Sequence, residues 1–302
     1  MRKLIVLAVV GLAAQLVDGA LGMGYGVTSS SLLILVGLTP VAASAAVHFS
    51  ELGTNIASGV AHWRLQNVDW RVVGRIAGPG AIGAFLGATV LSSLSTEFAQ
   101  PIMSGILALL GVYILARFIL GIRPRLSTKK LSLKFLAPLG VFAGFVDATG
   151  GGGWGPVATP ALLADGRLQP RKVIGTVDTS EFAVSAAASI GFLVGLGAAG
   201  INWAFALALL AGGVVAAPLA AYLVKVAPAH LLGVAVGGLI LLTNARTIFR
   251  VYDVPDMIRI MSYFAVVLVT SAGLYVAALR ARRRAASRAD ELVAPESPAL
   301  TG

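Results

Sequence analysis

The sequence predicts an all-α polytopic membrane protein made of two inverted-topology repeats. Each repeat is expected to be a re-entrant or broken helical hairpin plus three transmembrane helices, with one extra C-terminal transmembrane helix. Three observations carry this expectation. Charged side chains make up 12% and apolar ones 57% of the 302 residues, whereas soluble domains carry roughly 25% charged residues. Several apolar stretches reach the roughly 20 residues that cross a bilayer core as a helix. They are continuous rather than alternating, which excludes an outer-membrane barrel. Finally, a motif of one acid and several glycines occurs twice.

Taken in order, residues 4–18 and 27–38 are short apolar runs on either side of a glycine-rich stretch at 19–26. At 1.5 Å per residue they reach only about 22 and 18 Å, short of a hydrocarbon core near 30 Å. A re-entrant hairpin with its glycine turn buried in protein is the economical reading. Runs 41–61, 70–92 and 98–120 are long enough to cross. A basic stretch with Arg123, Arg125, Lys129, Lys130 and Lys134 follows, then a short run at 135–148, a second glycine stretch and a stub at 156–164. Runs 171–195, 202–224 and 230–249 are again long enough. The last helix, near 257–279, ends in Arg280, Arg282, Arg283, Arg284 and Arg288. The expected division is a first repeat at 1–122, a basic cytoplasmic linker at 123–134, a second repeat at 135–250, an extra helix at 251–285 and a disordered tail at 286–302.

The first 22 residues also carry the basic start, apolar core and small residues of a signal peptide. The same pattern recurs mid-chain where no leader can sit, which favours a segment of the mature protein. A net charge of +10 could suggest nucleic acid, but the basic residues lie in short loops and at the tail, as membrane orientation requires. With zero cysteines, disulfides, thiolate metal sites and sulfur relay through a protein thiol are all excluded.

The repeat is the central feature. Val17-Asp18-Gly19-Ala20-Leu21-Gly22-Met23-Gly24-Tyr25-Gly26 aligns with Val146-Asp147-Ala148-Thr149-Gly150-Gly151-Gly152-Gly153-Trp154-Gly155, with five of ten positions identical. Pro40 then matches Pro170, and Ser50-Glu51 matches Ser180-Glu181. Three long crossings per repeat is an odd number, so the second should lie upside down. Loop charge agrees: Arg64, Arg71 and Arg75 fall inside with the linker, as do Arg167, Arg171, Lys172, Lys225 and the tail arginines. Loops 93–97 and 196–201 fall outside and lack Lys and Arg. The connection at 250–256 fits poorly, and the N-terminus with Arg2 and Lys3 falls outside.

Short, glycine-interrupted segments in matching positions of two halves point to a transporter's binding site near the midplane. Glycines 22, 24, 26, 151, 152, 153 and 155 let backbone amides face a ligand, and each following helix start offers unpaired N–H groups to an anion. The expected substrate contacts are Gly22, Gly24, Tyr25, Thr28, Ser29, Thr149, Gly151, Gly152, Gly153, Trp154, His48, Asn55 and Ser185. Asp18 and Asp147 precede the breaks. A carboxylate at a helix centre costs about 2.5–3.5 kcal/mol on insertion scales, so two in matching places call for a reason. They either cap the next turn or hold a proton or cation. Glu51 and Glu181 lie 11 residues after their prolines, about 16 Å along the axis. His48, Glu51 and Asn55 share one helix face, and Asp178, Glu181 and Ser185 repeat the spacing. Asp18, Glu51, Asp147, Asp178 and Glu181 are therefore the candidate ion-coupling residues. The sequence displays no metal-ligand cluster, no Ser–His pair at nucleophile spacing and no cofactor motif. Arg246 and Arg117 either steer an anion or snorkel to headgroups.

At these residues the chain resembles the TauE/SafE family of sulfite exporters. The resemblance rests on the motifs at 17–24 and 146–156 and on Leu242-Thr243-Asn244-Ala245-Arg246. It implies a non-enzymatic secondary transporter in the cell (inner) membrane, moving sulfite, sulfonates or similar small organic anions. The coupling ion would be a proton or sodium. A passive anion channel is the alternative reading.

Overall fold

A computed structural model describes residues 2–21, 23–121, 131–165, 167–226 and 229–293. Gly22 and most of the basic linker therefore lie outside the described residues. The chain is helical throughout them, in the order α1 (Arg2–Leu21), α2 (Tyr25–Leu35), α3 (Pro40–Arg64), α4 (Trp70–Ser93), α5 (Thr96–Leu120), α6 (Leu133–Gly150), α7 (Trp154–Asp165), α8 (Pro170–Leu196), α9 (Trp203–Val226), α10 (Ala229–Val251) and α11 (Asp256–Val293). Local chemistry sets several boundaries. Thr39 Oγ1 accepts from the Ala42 amide ahead of Pro40 at the first helical position. Asp69 Oδ1 accepts from the amides of Arg71 and Val72 at 3.0 and 3.3 Å. Gly121, left-handed at φ 65°, closes α5.

Six of these helices are long and apolar enough to cross a membrane. Five correspond to runs 70–92, 98–120, 171–195, 230–249 and 257–279, while the expected crossings 41–61 and 202–224, on α3 and α9, are not among the six found in the described residues. The sixth is α6, where the sequence marked only a short run. Helices α1 and α6 contain 20 and 18 residues, about 30 and 27 Å at 1.5 Å per residue. The leading arms are thus longer than expected. Each helix continues through its aspartate, whose carboxylate leaves its own helix to cap the next one. Only α2 and α7, with 11 and 12 residues, fall short of the core. Helix α11 runs to Val293, past the start of the expected tail.

Helix packing relies on close backbone approach, which small residues permit. On α4, Gly87 faces Phe145 of α6, and a Cβ there would sit 2.7 Å from the Phe145 carbonyl oxygen. Gly83, Gly140 and Gly144 extend the same seam against Val141, Ile76 and Gly80. Helix α1 meets α9 in the same way, through Gly11 on Leu209 and Gly212 on Ala8. Helices α5 and α10 pack together, as do α3 and α8. Gly59 faces Thr179, Glu51 bonds Ser185, and Asp69 just beyond α3 bonds Thr176. Partner numbers fall as α3 advances, so α3 and α8 run antiparallel.

Contacts at the helix ends sort the loops. Arg75 donates to the carbonyl of Leu131 at 3.1 Å, and Arg280 to that of Ile119 at 2.6 Å. Together with the Asp69–Thr176 bond, these place the α3–α4 loop, the ends of the linker and the start of α8 at one end of the molecule. At the other end, one cavity gathers the α2–α3 turn, the start of α5 and the end of α10.

Candidate functional site

In both glycine breaks the preceding aspartate caps the following helix. After α1, Asp18 Oδ1 accepts from the Tyr25 amide at 3.2 Å. After α6, Asp147 Oδ1 accepts from the amides of Gly153 and Trp154 at 2.7 and 2.9 Å. The aspartates thus satisfy free N–H groups at the starts of α2 and α7. Gly24 occupies the cap position of α2 at φ 127°, and Gly152 stands at φ 148°, conformations that a side chain would strain. The Gly152 amide returns to the carbonyl of Asp147 at 2.8 Å.

The breaks touch each other. A Cβ on Gly26 would fall 2.6 Å from Gly152 Cα and 3.2 Å from the Gly151 carbonyl oxygen. Ser30 adds a hydrogen bond from its hydroxyl to that same carbonyl. Two bare backbones therefore cross in the interior, joining the first half of the chain to the second.

The aromatic rings beside the breaks are fastened into the protein. Tyr25 OH lies 3.0 Å from Ser50 Oγ, which itself donates to the Val47 carbonyl. Trp154 Nε1 donates to the Val177 carbonyl at 3.0 Å, and Ser180 donates to the same oxygen. Val47 and Val177 occupy matching positions of the two repeats, so each ring reaches the same turn of its repeat's helix, Tyr25 through the Ser50 hydroxyl and Trp154 through the Val177 carbonyl. Trp154 is fully buried, and its ring fills the space left by Gly80. Thr149 bonds back to Phe145 at 2.6 Å. By contrast, Thr28 Oγ1 and Ser29 Oγ on α2, and Asn55 Nδ2 on α3, are buried without a hydrogen-bond partner.

The polar stripes of α3 and α8 meet at the same depth. His48 Nε2 lies 3.1 Å from Asp147 Oδ2, and Ser185 Oγ donates to Glu51 Oε2 at 2.9 Å. Glu51 Oε1 is buried and has no hydrogen-bond partner. Donor atoms of His48, Glu51 and Asp147 all come within 4.8 Å of one another. The sequence displays no such cluster as a motif. The ligands are 99 residues apart on two helices, a separation that no motif spacing can display. Asp178, at the position matching His48, faces His62 Nε2 at 4.0 Å instead. Glu181 is partly buried on α8.

Sequence reasoning placed Ser30 beside Thr28 and Ser29 as a hydroxyl donor but left Ser44 and Asn244 out of the site. Ser44 bonds the Ala148 carbonyl at 2.7 Å, and Asn244 reaches Ser31 of α2 at 2.8 Å. Ser44 stands four residues before His48, so the helical repeat could have placed it on the same face.

Two cavities flank this interior. One of 170 Å³ is lined by Thr39, Thr96, Gln100, Thr247, Arg246 and Arg250. The other, of 770 Å³, lies at the far end of α3 and includes Arg64, Gln66, Trp70 and Lys172. Arg117 lines neither and donates to Tyr113 OH at 3.1 Å.

Comparison with known proteins follows this geometry. A family model described as "Sulfite exporter TauE/SafE" matches residues 7–247. The chain is 52% identical over 268 residues to "Probable membrane transporter protein YtnM" of Bacillus subtilis (strain 168), covering 88% of this chain and 89% of that protein. It is 25% identical over 178 residues to "Probable membrane transporter protein YdhB" of the same organism, covering 58% and 71%. No solved structure matches the chain.

Proposed function

Because the chain belongs to the sulfite exporter TauE/SafE family, we propose that it is a secondary transporter of small sulfur-containing anions in the cell (inner) membrane. Sulfite, a sulfonate or a similar organic anion is the cargo, carried by alternating access of two inverted repeats. The observation that carries this reading is the crossing of the two glycine breaks beside unpaired donors. Amides at the start of α2 carry the positive end of the helix dipole. Thr28, Ser29 and Asn55 carry buried hydroxyl and amide groups without a hydrogen-bond partner. The antiparallel course of α3 and α8 supports the inverted arrangement. Cationic cavities at the two ends of α3 give an anion an approach from either side.

Buried acids repel an anion unless a cation accompanies it. Coupling follows from that: a proton or sodium ion neutralises the acids of α1 and α8, Asp18, Asp178 and Glu181, as the anion enters. The test is uptake by proteoliposomes offered sulfite, sulfoacetate, taurine and sulfate under imposed pH and sodium gradients. Saturable uptake of one sulfur anion, accelerated by one gradient, is expected. Thr28→Ala or Ser29→Ala should raise KM about tenfold, since a hydrogen bond to a charged group is worth about 1.5–3 kcal/mol. Glu181→Gln should keep exchange but lose the gradient's drive. Conductance without saturation would replace this reading with a passive anion channel.

A further inference from the structure

We propose that His48 Nε2, Glu51 Oε1 and Asp147 Oδ2 form a binding site for one divalent first-row metal ion, held where the two halves of the chain meet. All three residues are at most 1% exposed, and their donor atoms lie within 4.8 Å of one another.

The case rests on the other polar atom of each residue. His48 Nδ1 lies 2.8 Å from the Ser44 carbonyl. A carbonyl only accepts, so Nδ1 carries a proton; Nε2 pairs with Asp147 Oδ2 at 3.1 Å when it is protonated as well, and offers a lone pair to a metal when it is not. Asp147 Oδ1 is committed to the amides of Gly153 and Trp154. Glu51 Oε2 is committed to Ser185. One atom of each residue is thus fixed by an outer partner, and one faces a shared space. Without a metal, a proton on Nε2 joins His48 to Asp147 Oδ2 at 3.1 Å, but Glu51 Oε1 is buried with no partner. A metal ion in place of that proton binds both groups and gives Glu51 Oε1 a partner as well. Fixing an imidazole through its second nitrogen is also how proteins orient a metal-ligating histidine.

Charge and geometry choose the class of ion. A neutral imidazole and two carboxylates carry two negative charges, which a divalent ion cancels. One nitrogen and two oxygen donors suit Zn²⁺ or Mn²⁺ better than an alkali cation. Tetrahedral zinc with bonds of about 2.0–2.1 Å sets its ligand atoms about 3.4 Å apart. His48 and Asp147 already stand near that spacing, and Glu51 has three torsions with which to close the remainder. Glu51 Oε1 lies 3.1 Å from where a Gly26 Cβ would be, beside the start of α2. Among the described residues this is the one such group, and the residue matching His48 in the second half is Asp178. Asp18, Asp178 and Glu181 remain for the travelling cation of transport. The inference does not depend on the transport reading.

The test uses purified protein stripped with a chelator and titrated calorimetrically with Zn²⁺, and separately with Mn²⁺, Mg²⁺ and Na⁺. Retained metal is counted by mass spectrometry. About one Zn²⁺ or Mn²⁺ per chain is expected. Affinity should fall at least 100-fold in His48→Gln and Glu51→Gln, and about tenfold in Ser185→Ala, which frees Glu51 without removing a ligand. If the ligand variants do not fold, X-ray absorption on zinc-loaded wild-type protein should give one imidazole nitrogen among oxygens at about 2.0–2.1 Å. Wild-type protein that binds none of the divalent ions would overturn the assignment. So would Na⁺ binding alone, undiminished Zn²⁺ affinity in both ligand variants, or a metal shell lacking imidazole. Transport is not measured, so failure here leaves the transporter reading standing, and the reverse also holds.

Discussion

Gly152 is the residue on which the crossing of the two breaks turns. Its φ of 148° is a conformation that costs other residues about 1–3 kcal/mol, and any Cβ would press on the backbone of Gly26 and Val27. Gly197 has a φ of 66° with open space around its Cα, so it isolates the backbone penalty from the steric one. Gly152→Ala should therefore lose far more thermal stability in detergent than Gly197→Ala, for which about 1 kcal/mol is expected. Equal losses would mean that the breaks do not touch. The same scale explains how the aspartates were read from sequence. Capping and ion binding stood as equal alternatives for Asp18 and Asp147. The structure gives both a capping role through Oδ1, while Asp147 Oδ2 remains turned toward His48.

For whole helices, the glycine seams decide which faces meet. Gly87 and Gly78 stand on the same helix, α4, but only Gly87 lies against another backbone, and nothing lies within 4 Å of a Cβ on Gly78. Gly87→Leu should part α4 from α6 and lower the melting temperature sharply or prevent folding, since overpacking alone costs about 1–3 kcal/mol. Gly78→Leu should melt like the parent. Matching losses in the two variants would argue against the seam. Helix existence was legible from hydropathy, because runs 70–92 and 98–120 need only apolar length. The reach of α1 and α6 was not. A hydropathy reading stops at Asp18 and Asp147, whereas the helices carry them because each carboxylate finds backbone donors in the following element.

The whole molecule adds sidedness and the assembly of the site. A chain without cysteine permits a direct test of topology. Val36→Cys and Leu65→Cys place exposed thiols at opposite ends of α3. A membrane-impermeant maleimide should label Val36→Cys in intact cells, and Leu65→Cys only after permeabilisation. Labelling of both from one side would contradict the orientation expected from loop charge. Sequence alone determined the membrane class, the duplicated acid–glycine motif, the position of the polar stripes and the family, because these follow from composition and residue order. Only the tertiary structure decided that Gly26 rests on Gly152, that Ser185 reaches Glu51, and that His48 looks at Asp147 rather than at an acid of its own half. Those pairs lie 99 to 134 residues apart, and contacts of that separation depend on how helices pack, which no local pattern encodes.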